Sequence, residues 1–151
     1  MKTGFYTLLF LFFAIIGYSQ KVNIPKGATR IEISSTLSDS TLFDIISFRL
    51  ESAGFFIAQS GKDNDYLITE YKNMGEAISI KVIVTVQGNI AVFRGQGEAE
   101  ILGHQYTNVP LAYKGSGSGL EKSGFIVLNE LVKKLSKTMG TSSINYLTPT
   151  P

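Results

Sequence analysis

Residues 77–102 read "AISIKVIVTVQGNIAVFRGQGEAEIL", and no other stretch limits the fold as strongly. Ile78, Ile80, Val82, Val84 and Val86 recur at period two, which places them on one face of a strand. Gly88-Asn89 then supplies the two central residues of a tight hairpin turn. With a two-residue turn, Val86 faces Ala91, Val84 faces Phe93, Val82 faces Gly95 and Ile80 faces Gly97. The core face therefore carries large residues on one strand and small ones on the other, a surface that lets a helix pack closely. On the opposite face Lys81 meets Gln96, with Glu98 diagonal to it. That face reads as mainly solvated, but Ile83, Ile90 and Val92 make its turn end apolar.

The flanking segments supply the rest of a layered domain. "ATRIEISS" (28–35) alternates Ile31 and Ile33 with Arg30 and Glu32 and reads as a first strand. "SDST" (38–41) is helix-start chemistry: Thr41 with Asp44 has capping-box spacing, and Asp39 or Ser40 could cap instead. The helix is expected to reach about Ala53 on a mostly apolar stripe of Leu42, Ile45, Ile46, Arg49 and Leu50, with Gly54 as a left-handed stop. "FFIAQ" (55–59) and "YLITEY" (66–71) read as strands around the turn "GKDND", and "KNMGE" breaks the second. "YTNVPLAY" (106–113) reads as a strand at a sheet edge or as a loop, because Pro110 has no N–H for a ladder. A second helix runs from Gly119 to Met139 on the stripe Phe125, Leu128, Leu131, Val132 and Leu135, with Gly140 as its stop. "SSINYLT" (142–148) is a last strand. The order β-α-β-β-β-β-α-β predicts an α+β two-layer sandwich: a mainly antiparallel sheet with two helices packed on one face.

The start of the chain belongs to a different class of segment. Lys2 precedes an apolar run from Phe5 to Ile16, and Gly17 and Ser19 stand at the −3 and −1 positions of a cleavage site. This is the pattern of a secretory signal peptide. A membrane-spanning helix needs roughly 20 apolar residues, and this run has 12. The expected organisation is a signal peptide (1–19), an N-terminal extension (20–27), a single α+β domain (28–148) and a short tail (149–151), with no membrane span after cleavage. The location that follows is periplasmic or secreted. The chain has no cysteine, so neither a disulfide nor a lipid-bearing cysteine after the leader is available. Lys and Arg total 14, and without Lys2 the balance is 13 basic residues against 12 acidic. No basic stripe is present, which argues against nucleic-acid binding.

Several segments have the look of chemistry and fail on spacing. In "KGSGSGLEKSG" (114–124), Gly119 and Gly124 have Walker spacing, but Phe125 stands where the phosphate-binding lysine belongs. Leu120 occupies the third glycine of a dinucleotide motif. Ser118 and Glu121 instead form S-x-x-E, a capping box ahead of the apolar stripe. Gly117, Ser118, Gly119 and Leu120 remain a candidate anion site, because any helix N-terminus attracts anions. His104 is the only histidine; with no cysteine it joins no Cys/His zinc site, and no G-x-S-x-G accompanies it. Asp63, Asn64 and Asp65 lack the third EF-hand ligand, since Leu67 stands there. Glu98 and Glu100 share a strand face, and solvated carboxylates explain them more simply than glycoside hydrolysis. No residue pattern calls for a cofactor or metal.

The segments "LFDIISFRLESAGFFI", "DYLIT" and "YKGSGSGLEKSGFIVLNELVKKL", after a leader ending in "SQ", resemble a family of small secreted Bacteroidota proteins of unknown function. The element order is also similar to TBP-like domains and to the periplasmic module of lipopolysaccharide-assembly lipoproteins. The resemblance implies an α+β domain and no catalytic residues.

The functional expectation is an exported, non-enzymatic binding or assembly module of the cell envelope. Its partner, an envelope protein or a lipid, would dock on a sheet edge or on the exposed face at Ile83, Ile90 and Val92. Two alternatives come from other classes. One is a small hydrolase using His104 with a Ser or Thr and a carboxylate. The other is an anion- or lipid-binding protein acting at the start of the second helix.

Overall fold

The computed structural model describes residues 23–61, 65–75, 78–114, 119–140 and 142–149. The leader, Asp63, Asn64, Gly117 and Ser118 lie outside the described residues. In chain order the elements are β1 (Arg30–Ser35), α1 (Asp39–Ser52), β2 (Ile57–Gly61), β3 (Tyr66–Thr69), β4 (Lys72–Asn73), β5 (Ile78–Gln87), β6 (Ile90–Ile101), β7 (His104–Pro110), α2 (Leu120–Ser136) and β8 (Ser142–Leu147). The main path of the sheet runs β2-β3-β5-β6-β1-β8. β4 and β3 share one edge of β5, and β7 and β1 share one edge of β6. Each of these pairings is antiparallel. The chain is an α+β two-layer sandwich with its two helices on one face of the sheet.

The hairpin keeps the register read from its turn: Val86 faces Ala91, Val84 faces Phe93, Val82 faces Gly95 and Ile80 faces Gly97. Gly88 (φ 61°) and Asn89 (φ 64°) both take the left-handed conformation that a two-residue turn of this hand requires. Ile31, Ile33, Ile80, Val82, Val84 and Phe93 are fully buried on the helix side of the sheet. Leu42, Phe43, Ile46 and Leu50 meet them from α1, and Phe125, Leu128, Val132 and Leu135 from α2. The buried amide of Asn129 accepts a 2.7 Å hydrogen bond from the Tyr146 hydroxyl, which ties α2 to β8.

The C-terminus of α1 is a Schellman motif. The Phe55 N–H reaches the Leu50 carbonyl at 2.9 Å and the Gly54 N–H reaches that of Glu51 at 2.8 Å. Gly54 at φ 80° makes the turn without a Cβ clash, and Phe55 and Leu50 are both buried beside it. This delays β2, which starts at Ile57 instead of Phe55.

Three local expectations are corrected. The N-cap of α1 is Ser38, whose Oγ accepts from the Thr41 N–H at 3.4 Å. Asp39 is drawn elsewhere: its carboxylate accepts from Gly88 N–H (2.9 Å) and Asn89 N–H (2.6 Å) and so grips the hairpin turn. The N-cap of α2 is Gly119 and makes no side-chain cap bond, while Glu121 pairs with Lys114. The room above the glycines of β6 is filled chiefly by a side chain outside the helices. Leu111 lies between Gly95 and Gly97 on one side and Gly124 on the other, and a Cβ on Gly95 or Gly124 would come within 2.5 Å of it.

The segment left open between strand and loop is partly both. Residues 104–110 form β7 at a sheet edge, with Pro110 as its last residue, and 111–114 lead inward. The breaker "KNMGE" contributes Lys72 and Asn73 to β4, which pairs with Ile80 and Ser79. Of the N-terminal extension, Ile24 packs against the core and the Gly27 N–H bonds the Tyr113 carbonyl at 2.7 Å. Among the described residues, no helix is long and apolar enough to cross a membrane.

Candidate functional site

The face of the sheet away from the helices is set by strand parity. Its rows follow from the register. Ile68, Ile83 and Arg94 face one another across β3, β5 and β6. Tyr66, Thr85, Val92, Glu32 and Asn145 make the next row across five strands. Ile90 lies between Gln87 and Ser34 in the third. Ile68, Ile83, Val92 and Ile90 thus step diagonally into one apolar stripe, and each is half-buried. Ile83, Ile90 and Val92 come together as the sequence suggested. Ile68 and Tyr66 join them through the pairing of β3 with β5, which strand parity alone does not reveal. Beside the stripe runs a groove of about 590 Å³ that includes Ile90, Val92 and Thr85, and its charged residues are Glu32 and Asp65.

The other end of this face is closed by polar chemistry. A register shift between Gly97 and Ala99 bulges β7, and Asn108 in the bulge takes φ 54°. The Asn108 amide oxygen accepts from the Tyr71 hydroxyl at 3.1 Å and from Lys81 Nζ at 2.9 Å. Its own N–H donates back to the Tyr71 oxygen at 3.2 Å. Lys81 Nζ also lies 4.9 Å from the centre of the Tyr71 ring. Tyr71, leaving β3, therefore clasps β7 across β5 and β6. Bulges of this kind re-aim side chains beside functional sites, and here the bulge aims Asn108 at a lysine and a tyrosine. Little in the residues announces this: Asn108 lies two positions before a proline in a segment that also reads as loop, and Tyr71 lies 37 residues away.

Burial raises the Tyr71 pKa above the ordinary phenol value, opposed by the Asn108 backbone hydrogen bond and reinforced by the Glu98 carboxylate. A raised phenol pKa in the folded state favours the neutral form. Its contribution is complete below the unfolded pKa and is lost as pH rises through the folded one. Tyr71→Phe is therefore expected to cost about 1 kcal/mol at neutral pH, for the lost hydroxyl bonds. The same change should soften the fall in stability above about pH 10. Urea melts of both proteins at neutral and alkaline pH check this.

The remaining candidates fall apart from one another. His104 is exposed at the first position of β7, opposite Ile101, and among the described residues it has no hydrogen bond to a Ser, Thr or carboxylate. Glu98 and Glu100 line a separate cavity of about 280 Å³ with Ser79 and Tyr106. No group of His, Asp and Glu suited to a metal ion occurs among the described residues. At α2, Gly119 is exposed and Leu120 half-buried. Glu121 puts a carboxylate in the first turn, where an anion would have to sit.

The chain matches no known family model, and no curated protein is significantly similar to it.

Proposed function

We propose that the chain is an exported, non-catalytic binding module of the cell envelope whose partner lies on the helix-free face of the sheet. The observation that carries this reading is the stripe Ile68, Ile83, Val92 and Ile90. It is apolar, contiguous and only half-buried on a face that neither helix covers. The part of this β-branched row still in water gains free energy when covered, in proportion to the apolar area removed from water. The partner is a polypeptide. The groove beside Ile90 and Val92 carries Glu32 and Asp65, while the exposed Arg94 stands opposite Ile83 further along the stripe, so an apolar segment flanked by a basic residue at one end and an acidic one at the other is its complement.

The leader pattern supports a meeting in the envelope or outside the cell. The test is crosslinking of the tagged chain in its native envelope fraction, followed by purification. Wild type is expected to carry a crosslinked polypeptide that Val92→Lys loses while staying folded, since lysine at this position faces Glu32 across the β1–β6 pairing. Equal crosslinking by both proteins would place the partner elsewhere.

A further inference from the structure

The two hairpin turns of the central sheet have the same backbone conformation and opposite chemistry. In the β5–β6 turn, Gly88 and Asn89 take φ near 60°, and both N–H groups are held by Asp39. In the β6–β7 turn the two central residues are Leu102 (φ 53°) and Gly103 (φ 77°). Leucine is a poor choice there. The left-handed region crowds its Cβ, and asparagine or glycine would fit at lower cost. Leu102 is also 95 % exposed, so no burial offsets that strain. A residue that is strained and fully solvated gains nothing for the fold.

Its neighbours share the exposure. Ile101 is 48 % and Tyr106 47 % exposed beside it. Met74 is 37 % exposed at the same end of the sheet, because its N–H bonds the carbonyl of Ile78, which pairs with Ala99 just before the tip. Among the described residues, four of the seven large apolar side chains left in solvent, namely Met74, Ile101, Leu102 and Tyr106, therefore gather at one end of the molecule.

We propose that the β6–β7 tip is a lipid-contacting device, with Leu102 and Ile101 entering the interfacial region of a bilayer and Tyr106 at headgroup depth. Shape favours a fluid phase over a protein pocket: the outermost group is one aliphatic side chain at the apex of a hairpin, not a patch with a fixed contour. Tyrosine with one polar end suits the boundary of such a phase. Between Arg94 and Lys114 the chain has no Lys or Arg, while Glu98 and Glu100 flank the tip. The tip therefore suits a zwitterionic surface and is repelled by an anionic one. So few apolar groups give reversible binding, weaker than the roughly 10⁴ M⁻¹ of a single myristoyl chain. This surface is separate from the helix-free stripe, and either can fail without the other.

The experiment uses protein-free phosphatidylcholine vesicles and His104→Cys labelled with an environment-sensitive fluorophore, since the chain has no other cysteine. A blue shift on adding vesicles is expected, smaller when phosphatidylglycerol is included. Leu102→Asn in the same labelled chain should weaken binding about tenfold. It should also raise the melting temperature by about 3–5 °C, because asparagine accepts the left-handed turn. Equal shifts with and without Leu102 would overturn the proposal. So would binding confined to anionic vesicles, or binding to native envelope vesicles with none to pure lipid; the last of these would point to a protein pocket.

Discussion

Leu111→Ala is expected to lower the unfolding free energy by about 4 kcal/mol, in the upper part of the range for leucine truncation in a core. Leu111 is 1 % exposed and is wedged among Gly95, Gly97 and Gly124. The three glycines add no side chain to fill the space, and Leu120, Leu128 and Ile80 at its border relax only partly from their own packing, so much of the cavity stays open and its contacts are lost. Gly124→Ala tests the same wedge from the other side. Its Cβ would stand 2.5 Å from Leu111 Cδ2 and 3.4 Å from Ile80 Cγ2, so alone it overpacks the site and should cost about 1–3 kcal/mol. In the Leu111→Ala background the clash is gone. There, alanine in a helix interior should stabilise by up to about 1 kcal/mol. Urea denaturation of the four proteins measures the coupling, and additive effects would show that Leu111 does not occupy this space.

Asp39→Ala is expected to cost about 2 kcal/mol, from two charge-assisted bonds to backbone N–H groups that are solvent-accessible and therefore worth less than buried ones. The carboxylate joins the first turn of α1 to the β5–β6 turn across 49 and 50 residues of chain. Asn89 closes the contact from its own side. Its amide donates to the Leu37 carbonyl, and its carbonyl accepts from the Ser35 N–H at 2.9 Å. Amide exchange separates this clamp from a general loss of stability: relative to wild type, Asp39→Ala should speed exchange at Gly88 and Asn89 by a larger factor than at buried β6 residues such as Phe93. Asp39→Asn keeps one acceptor oxygen and should lose about half as much. Unchanged exchange at Gly88 would mean that the turn does not depend on the carboxylate.

What the sequence disclosed and what it hid have physical causes. Period-two alternation and the Gly88-Asn89 turn fix the central register, because a slip by one residue would turn every valine outward. The same parity puts Ile83, Ile90 and Val92 on the helix-free face, so three residues of the stripe were legible from one hairpin, while Ile68 needed the β3–β5 pairing. The cap of α1 was not, because Ser38, Asp39, Ser40 and Thr41 can all cap, and a distant turn takes Asp39 out of the competition. Leu111 follows a proline and reads as loop. Its burial depends on two glycines of β6 and one of α2 meeting around it, a coincidence of three separate segments. A two-residue strand such as β4 is too short to show a period. The Tyr71–Asn108 clasp needs the β7 bulge, and bulges leave no reliable trace in composition. Leu102-Gly103 lacks the asparagine or aspartate that usually marks such a turn, so the exposed tip gave no signal.

The central claim is that the helix-free stripe is the surface covered in the cell. The cysteine-free chain allows a direct measurement, thiol labelling of Val92→Cys and Lys134→Cys in the purified protein and in intact exporting cells. Position 92 lies on the stripe and Lys134 is exposed on α2. The account predicts that both label in the purified protein, and that in cells position 92 is protected while position 134 stays reactive. Equal reactivity at position 92 in the two settings, or protection at position 134 alone, would contradict it.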